Sequence, residues 1–291
     1  TETIIHGYQE WGINGLLERL RGMFAFAIYD LRPVSPKLIL ARDRFGIKPL
    51  YYYQDNEQVV FASEVGAIVK SGCVPVEKNR EIQIPFLIFG NIPSPLTTIK
   101  NIFSFPAASY LSIEGGNRKF IEYYNLMDSF TKPILMDSKK VYQEFLPILS
   151  QAVDMHLISD APLGIFLSGG IDSSALVALA AKNRALTTLS VIFDEKDYSE
   201  VTYQRIIADK YKTDHHEIRL SEDDFYAEVD NIFRAMDQPT IDGINTYFVS
   251  KAAKLLGLKT VLSGAGGDEV FCGYESFKSI GALRAIQRMA K

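Results

Sequence analysis

Short runs rich in aromatic and branched hydrophobic residues occur in the first part of the chain, and such runs are typical of β-strands. Four such runs, separated by turn-forming residues, are GMFAFAIYD, KLILARD, PLYYY and QVVFASE. Two more, Ser109–Ile113 and Lys119–Tyr124, are joined by the turn EGGN. The spacing of the first four runs predicts an antiparallel meander.

The first of these runs, residues 22–30, has apolar side chains on both faces of the predicted strand. Phe24, Phe26 and Ile28 point to one side, and Ala25, Ala27 and Tyr29 point to the other. Such a strand is typical of a position between two packed layers. We therefore expect residues 22–30 to be buried on both faces.

From about residue 139 the pattern changes to alternating helices and strands. The predicted helices are 139–157, a helix from Ser173, 199–211 and 246–256, and the predicted strands are 163–167, 188–193, 215–220 and 259–262. This alternation is typical of an α/β doubly wound parallel sheet, in which ligands bind at the carboxyl ends of the strands. A polar stretch precedes it, so we expect domains at 1–125 and 139–291 with a linker at 126–138.

Composition narrows the class of protein. With 291 residues and 47% hydrophobic composition, the chain is long enough for two cores. A net charge of −4 gives no basic field for nucleic acid, and no apolar run approaches the roughly 20 residues of a membrane helix. Cys73 and Cys272 suggest neither a disulfide framework nor a zinc site, which favours the cytoplasm. Because the chain begins at Thr1 inside a helical pattern, we expect residues to precede it.

The stretch LGIFLSGGIDSSALVALAAK places glycines and an aspartate between an apolar strand and an alanine-rich helix. Backbone N–H groups at a helix start bind anions, and glycines let the main chain approach a phosphate closely. Asp172 alone would repel that anion, so it implies an intervening cation, for which Mg²⁺ is best suited. The chain has no G-x-x-x-x-G-K-[ST] motif, which argues against a Walker-type site. The alternative is a tight turn in which Asp172 and Ser173 cap the helix.

A second loop, VLSGAGGDEVFCGY, also follows an apolar strand. Because strand ends of a parallel sheet share one edge, we expect the two loops to face one crevice. Asp268 is then the second carboxylate for the metal, and Ser263 and Gly264 line the nucleotide. The alternative is a flexible turn followed by a helix start.

Together the two loops resemble glutamine-dependent asparagine synthetase, and so does the first half of the chain. The strings that carry the resemblance are RGMFAFAIYD, ARDRFGIKPLYYY, FASE, PLGIFLSGGIDSS, TDHHEI and LSGAGGDEVFCGY. The resemblance implies an α+β sandwich, part of an N-terminal nucleophile glutaminase domain, followed by an α/β ATP pyrophosphatase domain. It also implies ATP and Mg²⁺, a tunnel for ammonia, a homodimer, and conversion of aspartate to asparagine through an acyl-adenylate.

By position, the resemblance implies which residues form the sites. The expected nucleotide contacts are Leu167, Ser168, Gly169, Gly170, Asp172, Ser173, Ser174, Val191, Ser263 and Gly264. Asp172 and Asp268 resemble the Mg²⁺-pyrophosphate ligands and are the expected catalytic residues. The family's glutaminase nucleophile is an amino-terminal cysteine, and neither Cys73 nor Cys272 occupies that position, so we do not expect this chain to hydrolyse glutamine.

Two departures from the family pattern concern the acceptor. Ala265 stands where asparagine synthetases often have a glutamate that handles ammonia, and residues 236–247 lack a threonine-and-arginine string that holds aspartate in some members. The candidates for an acceptor pocket, or equally for caps of the following helix, are Asp237, Thr240, Asp242, Asn245 and Thr246. The acceptor is therefore aspartate or another carboxylate.

Three functions remain open: the asparagine-forming ligase, a relative that amidates another acceptor or closes a β-lactam ring, and a degenerate nucleotide-binding regulator. The intact aspartate pair argues against the regulator. His215 and His216 invite a metal interpretation, but adjacent strand residues point to opposite faces. We therefore expect a structural role for this pair.

Overall fold

The computed structural model describes residues 2–130, 137–182, 185–193, 200–277 and 279. The chain divides into two compact units. The first comprises Thr1–Leu135 and Arg234–Ile241, and the second comprises Met136–Phe233 and Asp242–Lys291. Across the described ranges, no helix is long and apolar enough to cross a membrane.

The predicted helices and strands occur in the predicted order, and within the described residues five helices and one strand are additional. The helices are α1 (Glu2–Arg19), α2 (Val65–Lys70), α3 (Gln83–Phe89), α4 (Met127–Phe130), α5 (Ser138–His156), α6 (Ile171–Ala180), α7 (Val201–Tyr211), α8 (Glu222–Ala235), α9 (Gly243–Leu255) and α10 (Gly267–Phe271). The strands are β1 (Ala25–Asp30), β2 (Lys37–Arg42), β3 (Tyr51–Gln54), β4 (Val59–Ala62), β5 (Ile102–Ser104), β6 (Ser109–Glu114), β7 (Asn117–Glu122), β8 (Leu163–Phe166), β9 (Thr187–Phe193), β10 (Asp214–Leu220) and β11 (Thr260–Leu262). The additional elements are α2, α3, α4, α8, α10 and β5. A 3₁₀ turn spans Arg80–Ile82.

The first unit contains two antiparallel sheets, with strand orders β1-β2-β6-β7 and β4-β3-β5. The antiparallel pairing agrees with the sequence pattern, but the prediction of one continuous meander is wrong. After β2 the chain turns around the carboxylate of Asp43, which accepts hydrogen bonds from the backbone of Phe45, Ile47 and Lys48. This turn directs β3 into the second sheet, so β2 pairs with β6 instead.

Strand β1 is packed along the whole of one face and only at the start of the other. Phe24, Phe26 and Ile28 lie in a cluster with the buried Leu17 and Ile39. On the other face Ala25 packs against a second cluster that contains Leu40 and Phe105, whereas Ala27 is exposed and Tyr29 is 64% exposed. The prediction of burial on both faces is therefore wrong for the second half of β1, because the second cluster does not extend beyond Ala25.

The second unit contains one parallel sheet, with strand order β10-β9-β8-β11. Its core is built from side chains of the central strands and of α6, including Ile165, Leu167 and Val177. The predicted parallel sheet is thus confirmed. Since β8 and β11 are parallel neighbours, their carboxyl ends lie side by side and carry the two glycine loops.

Candidate nucleotide site

The loop that follows β8 is folded by its own serine hydroxyls. The Oγ atoms of Ser168 and Ser173 lie 3.0 Å apart, and Ser173 Oγ accepts a hydrogen bond from Ser168 N at 3.2 Å. Ser173 Oγ also lies 3.2 Å from the Gly170 carbonyl oxygen, and Gly170 N donates to Ser168 Oγ at 3.3 Å. These contacts order the loop at the start of α6, where first-turn N–H groups have no acceptor within the helix. The arrangement suits an anion.

Gly169 is the position where this loop requires a glycine. Its φ is +87°, a conformation that residues with a side chain rarely adopt. An added Cβ would also lie 3.2 Å from Tyr203 Cβ and 3.3 Å from the Glu200 carbonyl oxygen. The side-chain amide of Gln204 donates to the Ser168 carbonyl at 3.2 Å, so α7 supports the loop directly.

The loop that follows β11 lies against the first loop. A Cβ added to Gly264 would lie 3.0 Å from Ser173 N and 3.1 Å from Asp172 Cβ. A Cβ added to Gly267 would overlap the Asp172 carboxylate. Glycine at both positions therefore allows this close approach, and the second loop fixes where the Asp172 side chain can lie.

The two loops line a cavity of about 600 Å³ at the strand ends. Its lining residues are Phe166, Ser168, Gly170, Ile171, Asp172, Ser173, Ser263, Gly264, Ala265, Asp268, Phe271 and Gly273. This set includes six of the ten residues expected to contact a nucleotide, together with both expected carboxylates, Asp172 and Asp268. The structure thus brings residues from two distant parts of the sequence to one cavity.

The other four expected contacts do not line this cavity. Leu167 is buried in the core at 1% exposure, and Gly169 packs against α7. Ser174 lies within the first turn of α6, and Val191 is a strand residue opposite Ile218 of β10. Their expected role came from the resemblance, and the cavity geometry gives it no support.

Five lining residues are additional to the expected nucleotide and metal contacts: Phe166, Ile171, Ala265, Phe271 and Gly273. Strand alternation accounts for the first of them, because successive side chains point to opposite faces. Leu167 enters the core, so its neighbour Phe166 faces the cavity. Phe271 and Gly273 lie within the second glycine-rich string, so their position in that motif was the available sequence signal.

Asp172 and Asp268 are the acidic residues of the cavity wall. In the part of the chain that the structure describes, no group of three or more His, Cys, Asp or Glu side chains could hold a metal. Mg²⁺ is commonly held by one or two carboxylates together with phosphate oxygens and water. Two carboxylates beside a phosphate-binding loop therefore fit a magnesium–nucleotide complex.

The five candidates for an acceptor pocket are divided between the units. Asp237 and Thr240 belong to the first unit, whereas Asp242, Asn245 and Thr246 belong to the second. The N–H and hydroxyl groups of Thr246 both donate to the Asp242 carbonyl, at 3.1 and 3.0 Å, where α9 begins. None of the five lines the cavity.

The histidine pair of β10 makes separate contacts. His215 Nδ1 lies 2.9 Å from Thr188 Oγ1, and burial lowers the pKa of His215. His216 Nε2 lies 3.1 Å from the Asp214 carboxylate. Neither ring lines the cavity, and the two rings have different partners, which favours the structural role expected from their adjacent strand positions.

A parallel sheet whose strand ends carry two glycine loops and two carboxylates is typical of α/β domains that bind nucleotides. Residues 144–289 match the family model for asparagine synthase, and residues 1–124 match that for a glutamine amidotransferase domain. The chain belongs to the asparagine synthase family.

Curated relatives align over nearly the whole chain. A putative asparagine synthetase 2 (glutamine-hydrolyzing) of Methanocaldococcus jannaschii is 37% identical, with 100% of this chain and 57% of the relative covered. Asparagine synthetase 1 (glutamine-hydrolyzing) of Bacillus subtilis is 32% identical, with 99% and 45% covered. Asparagine synthetase B (glutamine-hydrolyzing) of Escherichia coli is 30% identical, with 95% and 47% covered. The chain thus spans about half the length of these relatives.

Proposed function

We propose that the protein containing this chain is an ATP-dependent amide ligase, which converts aspartate, glutamine and ATP to asparagine, glutamate, AMP and pyrophosphate through an acyl-adenylate. The observation that carries the proposal is the convergence of Asp172, Asp268 and the two glycine loops on one cavity. Family membership and the names of the relatives support the same reaction.

The cavity residues have distinct roles in this proposal. First-turn N–H groups of α6 and the hydroxyls of Ser168 and Ser173 bind the phosphates of ATP. Asp172 and Asp268 would hold Mg²⁺, and the chemistry that the ion would supply is stabilisation of negative charge on pyrophosphate. Gly264 lets the second loop lie against the first, so that Asp172 and Asp268 line the same cavity.

The proposal also covers the domain organisation, the binding partners and the cellular location of the protein. Residues 1–125 form the carboxyl-terminal part of the glutamine amidotransferase domain, 126–138 a linker, and 139–291 the amino-terminal part of the synthetase domain. A net charge of −4 supports small-molecule substrates instead of nucleic acid. Cys73 and Cys272 are free and exposed, which supports a reducing, cytoplasmic location. The homodimer rests on the family resemblance alone.

Pyrophosphate release by the full-length protein tests the reaction. With ATP, Mg²⁺ and ammonium present, we expect release to require aspartate and to yield asparagine in equal amount, because a carboxylate reacts with ammonia only after adenylation supplies a leaving group. Release without asparagine formation, or none with aspartate in a protein that binds ATP, would contradict the proposal.

Ala265 in the cavity wall is the observation that favours another acceptor. A methyl group neither accepts a proton from ammonium nor contacts it by hydrogen bonding. Replacing aspartate by other amino and dicarboxylic acids in the same assay identifies a different acceptor, including one that closes a lactam ring. ATP binding without pyrophosphate release under any acceptor would favour the nucleotide-binding regulator.

Gly267→Ala is expected to weaken binding of magnesium–ATP roughly 10- to 100-fold, the equivalent of about 1–3 kcal/mol of overpacking. The new methyl group would overlap the Asp172 carboxylate and displace it. Equilibrium titration with ATP and Mg²⁺ measures the effect.

Gly257→Ala provides the control for Gly267→Ala. Gly257 has φ +72°, and an added Cβ there meets nothing within 4 Å. Alanine at this position costs about 1 kcal/mol of stability through the positive φ, a strain that Gly267→Ala does not add, and ATP affinity stays unchanged. Equal affinity for the two variants would show that Gly267 does not position Asp172.

A further inference from the structure

The last two residues of α8 and the segment that follows belong to a different compact unit from their sequence neighbours. Residues 234–241, here called the connecting segment, are part of the first unit, whereas residues 136–233 and 242–291 form the second. The chain therefore leaves the second unit at the end of α8, joins the first unit for eight residues, and returns at the start of α9.

Asp237 attaches the connecting segment to the start of α2. Its carboxylate accepts hydrogen bonds from Val65 N and Gly66 N, each at 2.7 Å. A Cβ on Gly66 would lie 3.3 Å from Asp237 Oδ1, closer than usual, so glycine favours this approach. Burial and, secondly, the Asp237 charge raise the pKa of Tyr51 on β3, which places the carboxylate beside this sheet.

Gln238 makes a second attachment. Its side-chain carbonyl accepts from Thr98 N at 2.9 Å, and its side-chain amide donates to Thr98 Oγ1 at 3.2 Å. Both ends of one side chain therefore bind a single residue of the first unit. This pairing fixes the direction of the segment as well as its position.

The end of the connecting segment makes a third attachment. Ile241 N donates to the Gly90 carbonyl at 2.9 Å, and Thr240 forms an isolated antiparallel bridge with Asn91. A Cβ on Gly90 would lie 2.7 Å from Ile241 Cδ1, so glycine there, in the left-handed conformation with φ +68°, admits the isoleucine. Two residues later α9 begins at Gly243.

Helix α9 leads from this attachment to the cavity of the second unit. Ala252 and Ala253 of α9 are buried with Leu189 of β9, and Phe166 packs against the same cluster. Phe166 also lines the cavity. The carboxyl-terminal end of α9 thus packs against a residue of the candidate nucleotide site, and the helix itself connects this end to the attachment.

We propose that Asp237 is a positioning residue that couples the amidotransferase domain to the synthetase site by holding the connecting segment on the first unit. Residues 1–124, which match the amidotransferase model, contain Val65, Gly66 and Thr98, and the segment continues directly into α9. The coupling between glutamine hydrolysis and amide formation rests on the proposed function. The mechanical link between the connecting segment and α9 is independent of the proposed function.

Amide hydrogen-exchange rates in the full-length protein test the mechanical link between the connecting segment and α9. Asp237→Ala removes the acceptor of Val65 N and Gly66 N, so both amides are expected to exchange faster, and Thr246 N, which donates to the Asp242 carbonyl at the start of α9, should also exchange about fivefold or more faster. Helix α5 of the second unit should be unchanged. The control is Asp230→Ala, an exposed aspartate of α8. Faster exchange at Val65 and Gly66 with no change in α9 would overturn the proposal.

The ratio of glutamate released to amide formed measures the coupling between glutamine hydrolysis and amide formation. Asp237→Ala is expected to raise the ratio of glutamate released to amide formed about fivefold or more, while the ammonium-supported rate changes less than about twofold. Asp237→Asn, which keeps one acceptor oxygen, should fall between wild type and alanine. An unchanged ratio in a folded Asp237→Ala protein would reduce Asp237 to a structural anchor. If wild type forms no amide at all, the proposed function fails, and the exchange result alone decides the mechanical link.

Discussion

Asp172→Ala in the full-length protein is expected to lower acceptor-dependent pyrophosphate release about 100-fold or more, because it removes one of two carboxylates available to Mg²⁺ at the reacting phosphates. Asp172 lines the cavity, and Gly264 and Gly267 of the second loop pack against it. The fixed position of the carboxylate makes replacement by another side chain of the cavity wall difficult. Asp268 then remains as the acidic residue of that wall. Initial rates at saturating ATP measure the loss.

Two further variants distinguish the loss of the Asp172 charge from a general effect on folding. Asp172→Asn keeps the shape of the side chain and removes its charge, so it should be nearly as inactive as the alanine variant. Asp154→Ala changes an exposed aspartate of α5 in the same unit and should retain the wild-type rate. A rate for Asp172→Ala within about threefold of wild type would show that the Asp172 carboxylate takes no part in the reaction. A matching loss in Asp154→Ala would indicate a general effect on the fold.

The location of the candidate site followed from local sequence pattern, but its internal geometry did not. Strand, glycine loop and helix occur in order around residues 163–180, and the parallel-sheet rule places such loops at one edge. The contact of Gly267 with Asp172 joins residues 95 positions apart, so no periodicity within either loop could indicate it. The same limitation applies to Phe271, whose distance from the first loop depends on the packing of β11 beside β8.

The parts of the fold that differed from prediction depend on non-local interactions. Residues 37–54 read as two successive strands of a meander, yet a single buried carboxylate, Asp43, turns the chain between them. The local sequence pattern of residues 236–247 indicates only an acceptor pocket or helix caps. Asp237 instead binds backbone N–H groups 171 and 172 residues earlier in the sequence, a contact invisible to any local pattern.

Asp43→Ala is expected to lower the free energy of unfolding of the first unit by about 3–5 kcal/mol, since it leaves several backbone donors without an acceptor. The Asp43 side chain is 1% exposed and accepts from four N–H groups: Phe24 at 3.2 Å, Phe45 at 3.1 Å, Ile47 at 3.0 Å and Lys48 at 2.9 Å. Denaturant unfolding followed by fluorescence measures the change. The reporter is Trp11, the single tryptophan of the sequence, which lies in α1 of this unit.

Two control variants determine whether the acceptor oxygens of Asp43 account for this loss. In Asp43→Asn, an amide group replaces the oxygen that serves either Phe45 and Ile47 or Phe24 and Lys48, so about half of the loss is expected. Asp55→Ala removes a half-buried carboxylate that accepts from Glu57 N at 2.8 Å and Gln58 N at 2.9 Å in a hairpin turn. Water can replace that acceptor, so Asp55→Ala should be much milder than Asp43→Ala. Equal losses for the two alanine variants would mean that burial of Asp43 adds nothing, and that the chain between β2 and β3 turns for another reason.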